Sequence, residues 1–290
     1  MKLFKCLLLL IVSLKLQAQQ INMNFPKFAG KNYDFIIFQG SHQKTLIQGI
    51  IPPDGKFTLS IPNEYMPYSG MSRWLITGTK EGGGLDLFIP GHNFSVSCKS
   101  NQPSEKNIIY QDNFGNTELN NLYRAQEKIL GRYELMKQAK YLYSSSDDNY
   151  SVFSNEYNSQ VKAFIRFQET LTKKGDYISE FIRIVNITTG IGTKLHDREE
   201  DKAENIADYI SNDLSWKILY TSGHWWSIIH SWVNIHTRVL KDPNRFATDF
   251  KKINEKLKSE NLQTDFKSLV LSFLKEEPNM EYTRGISSTL

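Results

Sequence analysis

The spacing of apolar and polar positions changes character once along the chain. From Ile21 to about Tyr110 apolar residues recur at every second position. Phe57, Leu59 and Ile61 alternate with Thr58 and Ser60, and Phe94, Val96 and Cys98 alternate with Ser95 and Ser97. A period of two places each set on one face of a strand. Pro52-Pro53-Asp54-Gly55, Tyr68-Ser69-Gly70 and Gly82-Gly83-Gly84 interrupt these runs with residues that preset or permit turn dihedrals. Several short strands at such intervals predict an antiparallel β-sandwich or small barrel.

Beyond Thr117 the period becomes helical. Leu119, Leu122, Ile129, Tyr133 and Met136 share a stripe, with Thr117 as the expected N-cap and Glu118 in the first turn. A second stripe, Phe153, Tyr157, Val161, Phe164 and Leu171, follows a short Ser- and Asp-rich loop, so the two helices should form an antiparallel pair. Shorter helices are expected at about 177–188, 199–211, 222–239, 244–259 and 264–276, with Asp176 capping the first and Thr264 the last. The fold class is therefore α+β. A β module over 19–112 precedes an all-α module over 113–284, with a frayed tail at 285–290.

Composition narrows this picture. The chain has 290 residues, 40% hydrophobic and 23% charged, enough apolar material for one large or two modest cores and too much for wholesale disorder. Lys2 and Lys5 precede an apolar run from Cys6 to Leu14, followed by Leu16-Gln17-Ala18; this is the order of a secretory signal, expected over 1–18. Lys15 interrupts the run well short of the roughly 20 apolar residues a transmembrane helix needs. A periplasmic or secreted protein without a membrane span after cleavage is the expectation.

Cleavage would remove Lys2, Lys5 and Lys15, three of the positive charges behind the formal +4, leaving +1. A near-neutral chain lacks the clustered Lys and Arg that nucleic acid requires. Cleavage would also remove Cys6 and leave Cys98 as the single thiol, which excludes an intramolecular disulfide, and no C-x-x-C occurs.

Few residues carry chemistry in a recognisable pattern. Cys98 shares a strand face with Phe94 and Val96, which favours an inert core thiol over a reactive one. His224, His230 and His236 are spaced by six, which puts them on three faces of one helix and argues against a shared metal ion. Trp225, Ile228, Ile229, Trp232 and His236 fall near one buried stripe, while Trp226 lies off it. Trp225, Trp226 and His224 are the partner-contact candidates, Trp226 foremost. Glu81-Gly82-Gly83-Gly84 and the stretch from Thr189 to Lys194 fail the phosphate-loop pattern and read as turns. No serine-nucleophile motif stands out, and neither a metal nor a cofactor is expected.

Four phrases resemble a known group. They are Phe28-Ala-Gly-Lys-Asn-Tyr-Asp-Phe35, Gly49-Ile-Ile-Pro-Pro-Asp-Gly-Lys56, the run from Gly70 through Trp74 and the glycines to Pro90, and Ile218-Leu-Tyr-Thr-Ser-Gly-His-Trp-Trp226. They resemble the N-terminal β module and helical connector of secreted thioredoxin-like thiol-disulfide oxidoreductases, of redoxin or alkyl hydroperoxide reductase type. In that family a C-terminal thioredoxin domain carries the catalytic C-x-x-C. This chain ends at Leu290, where that domain would follow, so no catalytic residue transfers. The resemblance implies an exported, non-catalytic accessory protein acting by protein contact, its partner a thioredoxin-like envelope protein supplied in trans. Two alternatives are a partial redox role, through Cys98 or as half of a split oxidoreductase, and a small-ligand or glycan-binding module.

Overall fold

The computed structural model describes residues 18–80, 82–276 and 280–287. The export signal expected over 1–18 lies outside the described residues except for Ala18, as does Glu81. The chain is α+β, with eight strands followed by nine helices among the described residues.

The strands are β1 (Gln19–Asn24), β2 (Asn32–Gln39), β3 (His42–Ile50), β4 (Lys56–Ile61), β5 (Ser69–Thr77), β6 (Gly84–Pro90), β7 (Phe94–Ser97) and β8 (Ile109–Gln111). They form two four-stranded sheets, ordered β4-β1-β7-β8 and β3-β2-β5-β6. Neighbours are antiparallel except β1 and β7, which run parallel with Ile21 opposite Phe94. The inward residues of both sheets, among them Ile21, Phe35, Ile37, Leu59, Trp74, Leu87 and Val96, make one core between them. Alternation along each strand is the cause: one face is apolar and seeks burial, the other polar. The Pro52 turn closes through Gly55 N–H donating to Pro52 O at 2.8 Å. Gly55 has φ +73° and lies against Pro26, where a Cβ would come within 2.3 Å of Pro26 Cα, so only glycine fits there.

In β2 the alternation fails, because Phe35, Ile36, Ile37 and Phe38 are all buried. Such a run marks a strand covered on both faces. Ile36 and Phe38, with Met71 of β5 and Phe88 of β6, point away from the sandwich core into a second cluster completed by Leu119, Leu171, Ile178, Phe181 and Ile182. The sheet is thus the middle layer, with the other sheet below and helices above.

Those helices are α1 (Phe114–Leu142), α2 (Tyr150–Lys174) and α3 (Tyr177–Thr188). α1 and α2 are an antiparallel hairpin: Tyr143 meets Phe153 beside the connecting loop, and Lys174 pairs with Glu118 at the far end. Asp176 caps α3 as its position predicts, accepting from Ser179 N–H at 2.8 Å. Thr117 does not cap α1, which starts three residues earlier at Phe114. The reason is tertiary. Asn113 and Asn116 both donate to the Phe88 carbonyl, at 2.7 and 3.0 Å, and Asn116 Oδ1 accepts from Phe88 N–H, so the helix start is fixed by the β6 backbone.

The rest comprises α4 (Glu199–Asp208), α5 (Trp216–Tyr220), α6 (Trp225–Asn234), α7 (Pro243–Lys256), α8 (Glu260–Glu276) and α9 (Met280–Ser287). α4 and α6 both continue as π-helical turns, Tyr209–Asp213 and Ile235–Leu240. Trp216, Trp225, Trp232, Phe246, Phe250 and Phe266 centre the core of this region. Two expectations are corrected. Thr264 lies inside α8, whose start is served by Ser259 Oγ accepting from Leu262 N–H at 3.3 Å. Of the tail expected over 285–290, Gly285 to Ser287 are helical rather than frayed, because Ile286 is buried in the same core, and residues 288–290 lie outside the described residues.

Candidate functional site

α6 carries the densest aromatic group, and its pitch sorts the members. Trp225, Ile228, Ile229 and Trp232 follow the i, i+3, i+4, i+7 stripe and are buried. Trp225 is 1% exposed, with its ring against Trp216 and Tyr220, so it belongs to the core and offers no partner a contact. Trp226 is one step further around the helix, about 100°, and is 50% exposed. One turn on, the His230 ring stacks on its indole with centroids 4.7 Å apart. Phe273 of α8 meets both edge-on, at 5.1 and 4.9 Å. The Asn234 amide lies 3.1 Å from His230 Nε2 and holds the imidazole from the next turn. The indole is therefore braced on two sides and open on the remainder, an arrangement suited to receiving an apolar group with one polar neighbour.

His224 stands elsewhere, in the seam between sheet and helices. Its ring tilts against Phe181 at 5.6 Å, and its backbone N–H donates to Ser222 Oγ. Burial lowers its pKa; Asp86 opposes this and Arg73 adds to it. His236 is fully buried beside Trp232 and Phe246, with Nε2 3.4 Å from Asp249 Oδ2. The three histidines thus occupy three environments, and no group of three or more His, Cys, Asp or Glu side chains able to hold a metal occurs among the described residues.

Cys98 follows β7 directly, its N–H donating to Asn24 O and its thiol 3.3 Å from Asn107 Oδ1. At 1% exposure it presents no surface to an incoming disulfide. Gly82 and Gly83 sit at positive φ in the β5–β6 turn, where Gly83 O accepts from Ile76 N–H. The Thr189 to Lys194 loop is tied to α4 by Asn205 Oδ1, which accepts from Thr193 and Lys194 N–H.

Sequence reading missed a cavity of about 390 Å³ between the end of α3, α4 and α6 with its π-helical turn. Its walls include two stripes with i, i+3, i+4, i+7 spacing: Glu199, Lys202, Ala203 and Ile206, and Ser231, Asn234, Ile235 and Arg238. That spacing is visible in the sequence, but it does not say which helices face each other. No helix among the described residues is long and apolar enough to cross a membrane. Comparison with protein-family models, curated proteins and solved structures finds no match to this chain.

Proposed function

We propose that this is an exported, non-catalytic accessory protein that works by binding another protein, with the Trp226, His230 and Phe273 face as its contact. The observation that carries the reading is the half-exposed indole of Trp226 held rigidly by its two aromatic neighbours. A fixed tryptophan offers a large contact area while losing little side-chain freedom on binding, which is why tryptophan is enriched among the residues that dominate protein interfaces. The partner we propose is a thioredoxin-like envelope protein supplied in trans. Support for that identity is the resemblance of the four sequence phrases alone.

The test uses the chain from Gln19 as immobilised bait against an envelope extract, with bound proteins identified by mass spectrometry. Trp226→Ala, shown to keep the wild-type melting temperature, is the control. Capture of a thioredoxin-fold protein that is lost in the variant is the expected result. A folded bait that captures none, or whose capture ignores the substitution, refutes the proposal.

A further inference from the structure

The cavity between α3, α4 and α6 lies in the size range of small-molecule sites. Its floor is aliphatic: Ile187, Ala203 and Ile206 are buried there, and Ile235 joins them from the facing helix. Its rim carries both signs of charge, Glu199 against Lys202 and Arg238. On α4, Glu199 and Lys202 form an ion pair, Lys202 Nζ to Glu199 Oε2 at 3.4 Å, with both side chains reaching solvent. A pair this open is weakly held and readily exchanged for other partners.

A second feature favours a cation on one side. The last turn of α3 forms a wall through Thr188 and Thr189. Its capping bonds use the carbonyls of Val185, Asn186 and Ile187, and the Thr188 and Thr189 carbonyls lie beyond these at the helix end. A helix C-terminus with open carbonyls is the negative end of the macrodipole. Ser231 and Asn234 add neutral polar groups opposite. Both helices that face each other across the cavity run into π-helical turns, a distortion found disproportionately at functional sites.

From this arrangement we infer that the cavity binds a free aliphatic amino acid. The ligand ammonium sits between Glu199 and the end of α3, its carboxylate takes Lys202, and its side chain covers the isoleucine floor. The zwitterion replaces one ion pair by two, which a ligand of single charge cannot do. Trp226, His230 and Phe273 of the partner-binding reading do not line the cavity, although Asn234, which holds His230, does.

The probe is L-leucine, titrated calorimetrically into the full chain from Gln19. Two analogues accompany it: 4-methylvalerate, which lacks the ammonium, and isoamylamine, which lacks the carboxylate. Saturable one-site binding of leucine is expected, with each analogue weaker by about two- to fivefold, the loss of one solvent-open ion pair. Lys202→Met on the exposed rim should weaken leucine to a similar extent, and Ser231→Phe, which fills the cavity, should abolish binding while circular dichroism stays native. Absence of saturable leucine binding overturns the inference. So does equal binding of either analogue, or leucine binding that Lys202→Met leaves unchanged.

Discussion

His224 shows how one side chain can couple the seam to acidity. Burial depresses its pKa in the folded chain, Asp86 pulls the other way, and Arg73 pushes with burial. In the unfolded chain the ring titrates near the ordinary value of about 6.5. The unfolded state therefore holds the proton more tightly, and the stabilisation from a neutral His224 is complete above that pH. It is lost as pH falls from there towards the lower folded pKa. Melting temperatures measured from pH 7.5 to 5 should fall for the wild type, and His224→Gln should flatten part of that slope. Parallel slopes for the two proteins would refute the assignment. Cys98 makes the opposite point, since its strand phase announces burial and the structure places it in the sandwich core.

At the scale of elements, the loop between α5 and α6 is the clasp. Gly40 N–H donates to Tyr220 O at 2.7 Å, Met71 N–H to Thr221 O, and Thr221 Oγ1 to Ser69 O at 3.0 Å. Gly70 lets the loop come this close, because a Cβ there would stand 2.5 Å from Thr221 Cβ. Gly70→Ala should cost about 2 kcal/mol, within the usual range for overpacking. Combined with Thr221→Gly the loss should be smaller than the two separate losses summed, and denaturant titrations of the four proteins check this coupling. The succession of strands and the longer helices were legible from periodicity, and Asp176 from its capping chemistry, whereas the short α5 and α9 were not. What escaped depended on distant partners. Phe88 draws the start of α1 back to Phe114 through Asn113 and Asn116, and no local rule for Thr117 contains that information. The isolated exposure of Trp226 followed from helix pitch, whereas the partial burial of His224 required knowing that the sheet lies opposite. The unbroken run from Phe35 to Phe38 did hold a clue that one sheet is covered twice.

Over the whole molecule, three apolar clusters succeed one another: the sandwich interior, the layer between sheet and helices, and the helical core. Ser41 Oγ donating to Asp265 Oδ1 at 2.5 Å adds a tie from the β2–β3 turn to α8. With Ile36, Phe38, Met71 and Phe88 shared between layers, neither module keeps its apolar surface covered alone. Near-ultraviolet and far-ultraviolet circular dichroism should report one coincident unfolding transition. Two separated transitions would mean that the layer between sheet and helices contributes little.

The position of β1 has a consequence in time. It is the first strand of the described chain, yet it lies inside its sheet, between β4 and the parallel β7. As the chain emerges N-terminus first, β1 finds no neighbour until Lys56–Ile61 has followed, and its second neighbour arrives only with Phe94–Ser97. The β2–β3 and β5–β6 hairpins can close on their own, while the sheet containing β1 waits for contacts far apart in sequence, the kind that slow folding. A chain so threaded keeps β1 incompletely paired while the residues from Lys56 to Ser97 are added, because both of its neighbours lie far from it in sequence.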